Sequence, residues 1–167
     1  MVEQPERAES TSDVPVVASF EAFCAANADT LANALALALD NRELGRDAAA
    51  EGLTRAFSRW SKVSTYDNPA GWVYRVGLNW GRSRLRRRRR EVTTAVFPER
   101  GHLDDPVDPT IAAALRSLTP EHRAVVVGRL YLDWSEATVA TALDIPAGTV
   151  KSRLSRALDA LEHRLDP

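Results

Sequence analysis

The sequence predicts an all-α protein: two small helical domains joined by a flexible acidic linker, the C-terminal one a helix-turn-helix. Three observations predict this. Apolar residues recur at helical spacing in both halves of the 167-residue chain, as in Val150, Leu154, Leu158 and Leu161. Residues 91–109 lack that periodicity and hold Pro98, Pro106, Pro109 and the pair Asp104 and Asp105, the composition of a linker. A short helix and a longer one meet across the tight connection Asp144-Ile145-Pro146, which is the layout of a helix-turn-helix.

Taken in order, residues 1–17 hold Pro5, Pro15, hydroxyl residues and several acids and read as a disordered tail. Residues 18–40 follow as a helix with an apolar face of Phe20, Phe23, Leu31, Leu35 and Leu39; Ser19 is its candidate cap, and Asp40-Asn41 ends it. Residues 45–62 form a second helix. Asp47, Glu51 and Arg55 stand there at i, i+4 and i+8, opposite Leu53, Phe57 and Trp60. Intrahelical ion pairing alone would account for that charged face. Residues 63–69 are a loop, and Pro69 opens a third helix over 70–90. Trp72, Val73, Val76 and Trp80 are expected inside it, with Arg75, Asn79, Arg82 and Arg86 along another face. After the linker, helices over 110–118 and 120–132 are expected, the second started by the cap Thr119 and by Pro120 at its first position. Ser135 caps the first helix of the helix-turn-helix, and Pro146 suits the first position of the second.

Charge is distributed unevenly. The net charge is −1, yet residues 56–90 carry 10 basic and 1 acidic side chain, against 4 basic and 10 acidic over residues 1–55. Seven arginines fall between positions 82 and 90. One or two cations suffice to complement a helix C-terminus; a rank of seven points to a polyanion. The outer positions of the last helix, Thr149, Lys151, Ser152, Ser155 and Arg156, are short hydroxyls and long cations that reach base edges and phosphates. An ordinary helical hairpin with a solvated face would carry the same spacing.

The single cysteine, Cys24, excludes an internal disulfide, and the three histidines lack ligand spacing, so neither metal nor cofactor is expected. Cys24 beside Phe20 and Phe23 reads as a structural thiol. There is no P-loop and no nucleophile–base pair, hence no expected enzymatic activity. No apolar run is read as a membrane span, and Met1–Val17 lacks the apolar core of a signal peptide. Together these features favour the cytoplasm.

The segment "IPAGTVKSRLSRALDAL", preceded by "LTPEHRAVVVGRLYLDWSEATVATAL", closely resembles the promoter-binding C-terminal domain of bacterial RNA polymerase sigma factors of the extracytoplasmic-function (ECF) group. "GRDAAAEGLTRAF" resembles the segment by which that family docks on the polymerase clamp. "NPAGWVYRVGLNWGRSRLRRRRR" resembles its segment for recognising and opening the −10 promoter element. The matches cover about residues 18–90 and 110–165, in the family's order.

The resemblance implies a sigma factor whose partners are core RNA polymerase, promoter DNA and an anti-sigma factor. It assigns Asp47, Glu51 and Arg55 to polymerase docking, and Asn79 to a place beside a flipped non-template base. The loop 63–69, with Tyr66, would close over that base. Arg75, Arg82, Arg84 and Arg86 would hold the backbone. Lys151, Ser152, Ser155 and Arg156 would read the −35 element, with Thr149 and Arg153 on phosphates. Residues 18–90 would thus be the −10 domain and 110–165 the −35 domain. The chain departs from the family pattern at Ala50, at Leu53 and at Thr138-Val139-Ala140. Two other functions are compatible with the residues: a stand-alone helix-turn-helix regulator, and a polymerase-interaction protein without promoter recognition.

Overall fold

Small residues let the first helices approach closely. In the computed structural model, which describes residues 16–91 and 108–165, α1 (Val16–Leu39) lies against α2 (Arg42–Phe57) with Gly45 on the backbone of Ala36; a Cβ at 45 would fall 2.4 Å from the Ala36 Cα. A short α3 (Trp60–Val63) and the long α4 (Pro69–Glu91) complete the first unit. The second unit consists of α5 (Pro109–Arg116), α6 (Pro120–Val126), α7 (Glu136–Leu143) and α8 (Ala147–Leu165). A π-helical segment, Val127–Tyr131, continues α6. Of the expected tail, residues 1–15 lie outside the described residues, and Val16 and Val17 belong to α1. Of the expected linker, residues 92–107 lie outside them; Glu91 ends α4, and Asp108 caps α5 by accepting from the Thr110 N–H.

Local chemistry explains most boundaries. Asn41, Thr119 and Ser135 accept backbone N–H groups of Leu44, His122 and Thr138 and start α2, α6 and α7. Asp40, Asp133 and Asp144 adopt left-handed backbone, φ 52°, 53° and 56°, where helical segments end. Aspartate tolerates that region better than most residues because its short polar side chain bonds locally.

Several expectations are corrected. Ser19 is not a cap: it lies inside α1, and its Oγ accepts from the Trp60 indole N–H at 3.2 Å. The helix expected over 45–62 starts earlier and breaks at Ser58-Arg59. Phe57 is half exposed, because the inner face of α2 consists of Leu44, Gly45, Ala48, Ala49, Gly52 and Ala56. On α4 the buried residues are Val73, Tyr74 and Leu78 with three glycines, while Trp72, Val76 and Trp80 are half-buried. On α8, Ala157 is buried with Val150, whereas Leu158 is 42% exposed. Pro146 stands just before α8 and its carbonyl accepts the first helical bond, from Val150. By length and mean hydropathy (1.3) α1 meets the requirements of a membrane span, contrary to the sequence reading; its Leu31–Leu39 stretch is largely buried in the helical core.

The two helical units pack against each other. One apolar core joins Leu31, Leu35, Tyr74 and Leu78 of the first to Leu118, Ala124, Val126 and Ala157 of the second. Each unit alone is near the size at which burial becomes marginal, and here each completes the other. A smaller cluster, Val125, Val139, Ala140 and Val150, fixes α7 against α8.

Candidate nucleic-acid interface

Asn68 starts the helix that carries the arginines: its Oδ1 accepts the Gly71 N–H at 2.9 Å, and Pro69 follows at the first helical position. From there Arg75, Asn79, Arg82 and Arg86 rise along one face at spacings of four, three and four. Asn79 and Arg86 are exposed, and Arg75 and Arg82 are half-buried. Arg84 is exposed but lies to the side, its guanidinium 4.9 Å over the Trp80 ring, a cation–π arrangement. Tyr66, 37% exposed, stands in the loop on the wall of a wide cleft together with Asn68, Trp72 and Arg75.

The opposite wall of that cleft is the helix-turn-helix, through Trp134, Thr138, Thr141 and Asp144. Arg75 faces Asp144 at 3.7 Å. Arg82 donates to the Pro120 carbonyl at 3.1 Å. Asn79, Arg75 and Arg82 share a narrow crevice of about 70 Å³ with Ile145 and Arg153. The structure therefore brings Arg153 to Arg75, Asn79 and Arg82. On α8, Lys151, Ser152, Ser155 and Arg156 are exposed and Thr149 is half-buried; the Ser152 hydroxyl bonds back to the Thr149 carbonyl.

On α2, Asp47 and Arg55 are exposed and Glu51 is half-buried; Arg55 Nε donates to Glu51 at 2.7 Å, the expected i, i+4 pair. This pair is exposed and contributes little to stability.

Sequence reasoning missed Tyr74 and Asn68. Tyr74 is fully buried, donates from its hydroxyl to the Ala124 carbonyl at 3.2 Å, and meets Trp134 edge-on at 5.6 Å. Burial pushes its phenol far above the usual range, with the Arg82 charge pulling the other way. Nothing local signals this, since the partner carbonyl is 50 residues away. Asn68 was legible: an asparagine before a helix-opening proline is a cap. Its Nδ2 is buried without a hydrogen-bond partner. Cys24 is half-buried, and burial raises its thiol above the ordinary value. Among the described residues no three of His, Cys, Asp and Glu cluster as metal ligands would.

Comparisons with known proteins agree with this geometry. The family described as Sigma-70, region 4 matches residues 110–161. The chain is 30% identical over 158 residues to an RNA polymerase sigma-E factor of Streptomyces coelicolor, covering 89% of this chain and 87% of that protein. It is 55% identical over 51 residues to the ECF RNA polymerase sigma factor SigL of Mycobacterium tuberculosis, 30% of this chain and 29% of that one. Its fold is similar, with a TM-score of 0.74 and 21% identity, to the sigma factor RpoE solved in complex with the anti-sigma factor NepR from Bartonella quintana. That match covers 88% of this chain and 96% of the other.

Proposed function

The chain belongs to the ECF group of bacterial RNA polymerase sigma factors, and from that premise we propose which residues carry each step of its work. As a sigma factor it binds core RNA polymerase and promoter DNA and directs promoter-specific initiation. The α2 face, Asp47, Glu51 and Arg55, docks on core polymerase. The helix-turn-helix within 110–165 grips the −35 element as intact duplex, with Lys151, Ser152, Ser155 and Arg156 toward the major groove and Thr149 and Arg153 on phosphates. The unit within 18–90 opens the −10 element. Extruding a base costs a few kcal/mol. A pocket formed by Tyr66 and its loop beside Asn79, continued by Arg75, Arg82, Arg84 and Arg86 along the displaced strand, offsets that cost.

The observation that carries this reading is the pair of unlike faces on one chain. One is an arginine ridge on a helix beside a loop; the other is an exposed hydroxyl-and-cation face on a helix-turn-helix. A stand-alone regulator would use only the second. The protein acts in the cytoplasm by a non-enzymatic route, and an anti-sigma factor controls its access to polymerase; the similar RpoE is bound by such a partner.

Run-off transcription on genomic fragments with purified core polymerase tests the proposal. The chain should select a discrete set of start sites. Lys151→Ala with Arg156→Ala should change which sites are used, and Asn79→Ala should reduce opening at all of them. Absence of any selected start site, together with absence of core binding, would reject it.

A further inference from the structure

We propose that the end of α4 lies in the major groove of duplex DNA beside the −10 element, with one strand's backbone along each of two opposite arginine rows. This inference rests on the −10 assignment of α4 and extends it from the melted strand to the duplex next to it. The last apolar residue of α4 packed on the core is Leu85. Residues 86–91 are all exposed and reach roughly 9 Å past it at about 1.5 Å per residue. Five of those six are arginines. Arg82 and Arg86, and likewise Arg84 and Arg88, are like charges at i, i+4, a spacing that destabilises a bare helix. Among the described residues no acidic group pairs with Arg84, Arg87 or Arg88. A helix end loaded in this way gains when phosphates surround it.

At about 100° per residue the arginines divide into two rows. Arg82, Arg86 and Arg89 continue the face of Arg75 and Asn79. Arg84, Arg87 and Arg88 continue the face of Trp80, over whose ring the Arg84 guanidinium stands at 4.9 Å. The rows are about 170° apart around the axis. A helix with its side chains is about 10–12 Å thick, so one backbone cannot lie against both. The major groove, about 12 Å wide, admits such a helix between its two backbones; the minor groove, about 6 Å wide, does not. Ser83 and Arg90 stand between the rows, opposite Tyr74 and Gly81 of the buried face. The groove floor therefore meets that side, and the phosphates meet the rows. Contacts to phosphates position the helix without reading sequence. Asn79, beside the extruded base, and Arg88 are nine residues apart, which is roughly 14 Å or about four base steps of 3.4 Å. The chain beyond α4 leads to the −35 unit, so this duplex lies between the two elements. The placement also refines the role of Arg84, which meets the complement of the displaced strand where the two rejoin.

Holoenzyme assembled from core polymerase and the full chain tests this with two probes from a promoter mapped by run-off. One is a fork, duplex upstream and single-stranded through the −10 element; the other is the single strand of that element alone. Arg87→Ala with Arg88→Ala removes two exposed cations that no −10 role uses. On the fork this variant should bind about ten-fold more weakly at about 0.15 M salt, and the slope of log affinity against log salt should flatten by about 1.8, at about 0.9 per lost phosphate contact. On the single strand its affinity should equal the parent's. Arg87→Lys with Arg88→Lys should restore binding to the fork. A methylphosphonate on either strand, about four base steps upstream of the extruded base, should weaken the parent more than the alanine variant. Equal loss on both probes would place one strand around the helix and overturns the inference. An unchanged slope on the fork also overturns it, as does a loss of core binding, which would give the second row to polymerase. If Asn79→Ala binds the single strand as tightly as the parent, the −10 assignment fails instead, and the fork slope still reports on the duplex contact.

Discussion

The two helices assigned to DNA, α4 and α8, are held in opposite ways. Along α4 the neighbours leave no space: a Cβ at Gly77 would fall 2.7 Å from Leu35 Cδ1 and 2.9 Å from the Ala48 carbonyl oxygen. Along α8 the corresponding small residue, Gly148, meets nothing within 4 Å, and the helix is held by one stripe in which Val150 and Ala157 are buried and Leu154 and Leu161 half-buried. Under the proposed assignment, the helix that would open the strands is clamped through Gly77 and Gly81 while its arginine end stays exposed, and the helix that would lie in a groove at the −35 element keeps only one face inward.

Four changes would break or sharpen that contrast. The largest effect is expected from Gly77→Leu, which forces side chain into the backbone of α2. Overpacking of this kind costs about 3 kcal/mol, a fall in melting temperature of roughly 10 °C for a chain of this size, read by calorimetry. Next is Val150→Ala, which removes two methyls from a fully buried site on α8. A loss of about 2 kcal/mol is expected in urea unfolding, with −35 selection impaired more than core binding.

Tyr74→Phe comes third. At neutral pH it should cost about 1 kcal/mol by deleting the bond to Ala124. Its pH dependence has a definite sign. The folded phenol titrates above the unfolded one, whose value is about 10. Stability is therefore intact below about pH 10 and falls as pH rises beyond it, where only the unfolded tyrosine ionises. Urea titrations on either side of that pH should show a smaller decline in the variant than in the parent. Smallest is Gly148→Ala, which should stabilise α8 by about 0.5 kcal/mol, since a helical glycine is replaced where space is open; an equal loss at 77 and 148 in alanine variants would dissolve the contrast.

The parts of the fold legible in the sequence were those with local chemistry. Thr119-Pro120, Ser135 and Pro69 each start a helix as expected, and the turn at Asp144 lies where the tight connection placed it. What was not legible depended on partners far along the chain. Phe57 was expected inside, but alanines and glycines form that face, and residues without bulk give no apolar signal to read. Tyr74 was missed because it belongs to an interface between units on either side of the aperiodic acidic stretch, and no local pattern marks which of their faces meet. Of the residues proposed to contact DNA, the exposure of those on α8 followed from spacing alone. The involvement of Arg75, Arg82 and Arg153 with the other unit required the packed chain.

Arg123 is the one buried charged residue among those described. Its guanidinium threads the end of α5 and donates to the carbonyls of Leu115, Arg116 and Leu118, and burial lowers its affinity for the proton while Asp40 opposes that effect. The clasp has a mechanical meaning. Because three carbonyls at the end of α5 are tied to α6 through one side chain, α5 cannot fray from α6 without stripping that cation of its acceptors.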